Sequence, residues 1–145
     1  MRVVSFVMAA VAAVAVSAGG ARAALQPDPG ETAGVPVGTC WITSAYFDNS
    51  TVTRICFVSE GTATYEGRVA DVPDLRCQGK ATVAIEGNKL TIVERDGICD
   101  VEGHTWTAEA IACTWDASWV ESGGPVGCTV DEPNYGRAKF TLSRD

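Results

Sequence analysis

Six cysteines, Cys40, Cys56, Cys77, Cys99, Cys113 and Cys128, and a single histidine, His104, hold most of the reactive chemistry this chain could offer. Thiols that grip zinc or cycle between redox states sit close together, typically as C-x-x-C. Here no cysteine lies within ten residues of another. An even count without such spacing reads as three structural disulfides, which leaves no thiol for chemistry. His104 follows Asp100 and Glu102 at alternate positions, and an extended segment would put all three on one face. Oxygen and imidazole ligands so placed could bind a divalent ion weakly. Gly103 makes a solvated turn the better expectation, so no metal and no cofactor is assigned.

Catalytic patterns are sparse. A Ser–His–Asp relay would need His104, yet no serine stands in a G-x-S-x-G elbow. Gly123-Gly124-Pro125 is a turn signal and does not resemble a phosphate-cradling loop. Carboxylate pairs for glycoside hydrolysis depend on a separation that exists only in three dimensions. Aromatic residues make the better site candidates. Trp115 and Trp119 bracket Asp116-Ala117-Ser118 ahead of an irregular 120–127 segment, and Tyr135 stands on a neighbouring loop. At the mouth of a β-barrel these three would contact a ligand or a partner; the competing expectation is that Trp115 ends a core strand and Trp119 plugs the open end.

The elements that must position these residues begin after residue 23. Arg2, the apolar run from Val3 to Ala18 and the Ala21-Arg22-Ala23 site form a signal peptide, residues 1–23, with cleavage expected before Ala24. No transmembrane segment remains after that cleavage. Residues 24–36, rich in Pro and Gly, read as a flexible leader, and residues 37–145 as a single domain. Cleavage would remove Arg2 and Arg22 and no acid, so the charge of −7 becomes −9. That sign argues against nucleic acid as a partner. The expected location is the periplasm or the extracellular space.

From Val37 onward the pattern is β-rich, and helix should be scarce. In Arg76–Glu86 the residues Cys77, Gly79, Ala81, Val83 and Ile85 alternate with polar neighbours. Gly87-Asn88 suits a type II′ turn, and Lys89–Arg95 returns with Leu90 and Ile92 inward. Further strands are expected at 37–47, 51–59, 62–70, 104–115, 126–130 and 137–142. In the 104–115 strand, Trp106, Ala108, Ala110 and Ala112 would share one face. About eight short strands imply an all-β, small antiparallel meander closing into a barrel stapled by three disulfides, with a lipocalin-like barrel or a sandwich as alternatives. Glycine and tryptophan in Gly38-Thr39-Cys40-Trp41 are separated by two residues where a lipocalin-type first strand has one, so no family resemblance is drawn.

Six cysteines allow fifteen pairings, which sequence alone does not select between, but the hairpin pattern favours one. With Gly87-Asn88 at a tip, Cys77 approaches Cys99 once an irregularity at Asp96-Gly97 is allowed. A turn near Asp48-Asn49 brings Cys40 to Cys56, and a loop centred near Val120-Glu121 brings Cys113 to Cys128. The function expected first is non-catalytic binding of a small apolar molecule or an envelope component. Its rival is a protein-binding inhibitor or adaptor, for example of a protease, working through disulfide-held loops; an envelope-associated enzyme comes third. A hollow interior would favour the first reading, and a filled interior with an exposed apolar loop the second.

Overall fold

The computed structural model describes residues 34–44, 50–69, 72, 75–132 and 136–145. The expected signal peptide, residues 24–33 of the expected leader, and Tyr135 lie outside the described residues. The chain runs β1 (Cys40–Thr43), β2 (Ser50–Ser59), β3 (Thr62–Val69), β4 (Arg76–Glu86), β5 (Lys89–Glu94), β6 (Gly97–Cys99), β7 (Thr105–Trp106), β8 (Ala110–Thr114), α1 (Ala117–Ser122), β9 (Val126–Glu132) and β10 (Gly136–Arg144). All pairings are antiparallel. Contacts β3–β4 and β1–β10 close eight strands into a barrel, as the meander predicts, while β6 pairs with the end of β4 and β7 with β6. Among the described residues no helix is long and apolar enough to cross a membrane.

The three disulfides pair as the strand pattern predicts: Cys40–Cys56, Cys77–Cys99 and Cys113–Cys128. Each joins residues directly opposite one another on neighbouring strands. Such bridges are consistent with an exported protein. The β4–β5 hairpin turns at Gly87-Asn88 with Ile85 facing Leu90, while Cys77 faces Cys99 further along β4. Between these pairs the β5–β6 arm carries one residue more than β4, which is a bulge at Arg95-Asp96. On its other side the register is unbroken: Val93 faces Ala110 and Gly97 faces Trp106. Strands β5–β6 and β7–β8 are thus two arms of one long hairpin.

The expected continuous strand at 104–115 is broken at residues 107–109. The Ala108 N–H donates to the Asp96 carboxylate at 3.2 Å and leaves the ladder. This break opposite the bulge reverses the alternation. Trp106 shares the interior with Ile111 and Cys113, while Ala108 and Ala110 are exposed, contrary to the predicted face. A second correction concerns the segment after Trp115. It opens with the short helix α1, capped by Asp116, whose Oδ1 accepts from the Trp119 N–H at 3.1 Å and the Ser118 hydroxyl at 2.5 Å. These hydrogen bonds hold the Asp116 carboxyl below its usual range, against a smaller opposing effect of burial. At the end of the expected leader, Val35 packs on the core and Pro36 O accepts from the Thr39 hydroxyl at 2.6 Å.

The chain's own aromatic side chains pack in the interior. Trp41 and Phe57 lean on Trp115, with ring centroids 5.5 and 6.1 Å away, and Tyr65 meets Trp106 at 6.3 Å. Small inward residues make this possible. A Cβ on Gly67 would lie 2.7 Å from the Trp106 ring, and one on Gly79 would lie 2.6 Å from the Tyr65 ring. The glycines leave room for partners across the barrel, and those partners occupy it.

Candidate functional site

The residues nominated by sequence do not converge. Trp115 is fully buried, with its indole N–H pointed at Gly34 O at 3.4 Å, so it belongs to the core rather than to a ligand-contacting mouth. Trp119 lies half-buried on α1 and packs on the same core. Asp100, Glu102 and His104 are exposed at the tip of the β6–β7 hairpin. Asp100 Oδ1 accepts from the Arg76 backbone N–H at 3.0 Å, and the His104 backbone N–H bonds Val101 O at 3.3 Å. The tip is therefore a turn, and among the described residues no group of three or more His, Cys, Asp or Glu is placed to hold a metal ion.

What sequence reasoning missed is the outer face beside that hairpin. Ile98 is 79% exposed on β6, where its backbone pairs with Gln78 of β4. It lines two neighbouring grooves. One, of about 450 Å³, includes Arg68, Arg76, the Cys77–Cys99 pair and Asp100; the other, of about 550 Å³, includes Lys80, Arg95 and Asp96. Val101, 43% exposed, extends the apolar surface to the tip. The hairpin that carries these residues is short: its registered pairs with β4 are Cys77↔Cys99 and Gln78↔Ile98, and the Asp100 N–H donates to Arg76 O at 2.9 Å. It is held by the Cys77–Cys99 disulfide, whose Cys77 is buried, and by the buried Trp106. The alternation in β3 and β4 already placed Arg68, Arg76 and Lys80 outward; the irregularity expected at Asp96-Gly97 informed the cysteine pairing but not the exposed position it gives Ile98.

Beneath the hairpin lies a buried polar cluster. Glu94 is 1% exposed and its Oε2 accepts the Trp106 indole N–H at 2.8 Å. The Tyr65 hydroxyl donates to Arg95 O at 2.6 Å. Burial, and then the negative charges of Glu94, Asp96 and Glu109, push the Tyr65 phenol far above its ordinary value. The folded state therefore keeps this proton where an unfolded tyrosine ionises, near pH ~10. Above that pH the unfolded state binds fewer protons than the native state, so stability falls as pH rises. Tyr65→Phe should lose the hydrogen bond, about 1 kcal/mol at neutral pH, yet show a shallower decline across pH ~9–11. Urea titrations at each pH test this, and parallel declines for the two proteins would refute it.

No protein-family model, curated protein or solved structure matches this chain.

Proposed function

We propose that this chain is an exported, non-catalytic protein-binding module, an inhibitor or adaptor acting in the periplasm or outside the cell. It engages its partner through the β6–β7 hairpin. One observation carries the reading: the large apolar side chain most exposed among those described, Ile98, stands on a hairpin tied covalently to the barrel wall. An exposed apolar residue on a pre-ordered loop binds with little further loss of entropy. Its setting between two grooves suits a buried anchor with a polar surround. The packing of Trp41, Tyr65, Trp106 and Trp115 in the interior favours this reading over a small ligand held inside the barrel.

Native mass spectrometry of the protein purified from its own source tests the reading, with Ile98→Asp alongside. A stoichiometric protein partner is expected with the natural chain. The variant should bind it at least tenfold more weakly while keeping its melting temperature, because Ile98 is a surface residue. A co-purifying lipid or small molecule retained by Ile98→Asp would overturn the proposal, as would recovery of the natural chain with no partner.

A further inference from the structure

We infer that the groove between β3, β4 and the hairpin is an anion-recognising subsite, in which Arg68 and Arg76 receive a carboxylate side chain from the docked partner segment while Ile98 contacts an adjacent apolar one. The inference rests on the protein-binding reading and specifies the chemistry of the partner.

The charge distribution is the first support. The chain carries eleven cationic residues against eighteen acids. Arg54 pairs with Asp145, Arg137 pairs with Asp131, and Arg144 lies over the Trp41 ring. Arg68 and Arg76 have no ion-pair partner among the described residues. They nevertheless face each other directly across β3 and β4, and both are exposed. Like charges at directly opposed strand positions destabilise a sheet by a few tenths to about 1 kcal/mol. In a chain with a surplus of acids, folding gains nothing from that placement. An incoming anion relieves it.

The groove's own carboxylates do not take this role. Glu66 leans toward Arg54, with 4.0 Å between Oε1 and Nη1, and Asp100 Oδ1 is engaged by the Arg76 amide. Two guanidinium groups, each a planar fork of donors, suit a carboxylate held in two-point contact. The groove, at about 450 Å³, is within the range of sites that enclose a ligand group. Glu66 and Asp100 also decide which anion fits. A dense polyanion, such as a sulfated glycan or nucleic acid, meets their charge and a chain of net charge −7, whereas a single carboxylate beside an apolar side chain avoids both.

The test titrates the isotopically labelled full chain with a capped pentapeptide alternating leucine and glutamate, and with its glutamine counterpart. Saturable shifts are expected at the amides of Arg68, Arg76, Gln78 and Ile98, with at least tenfold weaker binding of the glutamine peptide and weakening as salt rises. Arg68→Gln/Arg76→Gln should lose the preference for glutamate without lowering the melting temperature, since it removes a like-charge contact. Absence of saturable shifts, equal binding of both peptides, an undiminished preference in the double variant, or a heparin oligosaccharide perturbing these amides when the peptide does not would each overturn the subsite. A natural partner lost by Ile98→Asp but retained by Arg68→Gln/Arg76→Gln would sink the subsite alone and leave the docking surface standing.

Discussion

Reduction of the three disulfides should abolish cooperative folding, leaving a chain that gives no sigmoidal urea transition at neutral pH. The closed loops span 16, 22 and 15 residues of separation, and cross-links of that reach each restrict the unfolded chain by about 3 kcal/mol. Together that is about 9 kcal/mol, comparable with the whole stability of a typical domain, about 5–15 kcal/mol. The bridges are not equivalent in function. Cys40–Cys56 and Cys113–Cys128 join strands within the closed barrel, whose ladders also hold them. Cys77–Cys99 secures a hairpin that otherwise has one further registered pair on β4. Cys77→Ala/Cys99→Ala should therefore lose about 3 kcal/mol in urea unfolding and, unlike the other two double variants, speed hydrogen exchange at residues 97–106. Equal protection of those amides in all three variants would show that the hairpin is held by something other than the bridge.

The disulfide pattern was legible because it depends on local geometry. A two-residue turn fixes which residues of a hairpin face each other, so Gly87-Asn88 with the alternation in β4 determined that Cys77 lies near Cys99. The inward set of β3, Ala63, Tyr65 and Gly67, followed from the same period of two. The alternation failed at Trp106, where no glycine or proline marks the break at residues 107–109. Its cause lies on the neighbouring arm, at the Arg95-Asp96 bulge, so it arises from strand pairing and not from local preference. Glu94 shows a related difficulty. It has the parity of inward Leu90 and Ile92, but its residue type points to solvent; only the Trp106 indole beneath the hairpin makes its burial intelligible. The Arg68–Arg76 groove went unread although the irregularity at Asp96-Gly97 was expected, because one wall is formed by a hairpin tip whose outward face alternation alone does not place.

Trp106 joins these observations, and its replacement carries a large expected effect. Trp106→Ala removes a buried indole and the N–H donated to Glu94, so a loss of about 3–5 kcal/mol is expected. Gly67→Ala alone would drive a methyl group to within 2.7 Å of the same ring, on backbone held by strands at both sides, and overpacking of this kind costs about 1–3 kcal/mol. If the glycine is needed because the indole lies over it, the two losses cannot add. In the Trp106→Ala background the new methyl enters vacated space, and Gly67→Ala should become neutral or stabilising, a coupling of about 1–3 kcal/mol in a double-mutant cycle. Additive losses would mean that Gly67 is required by the strand itself. Trp106 is also, beside the Cys77–Cys99 bridge, a buried anchor of the hairpin. Its removal should loosen residues 97–106 even with the bridge intact, and partner affinity should fall although Ile98, Arg68 and Arg76 are all still present. A hairpin that stayed protected in Trp106→Ala would place its rigidity in the disulfide alone.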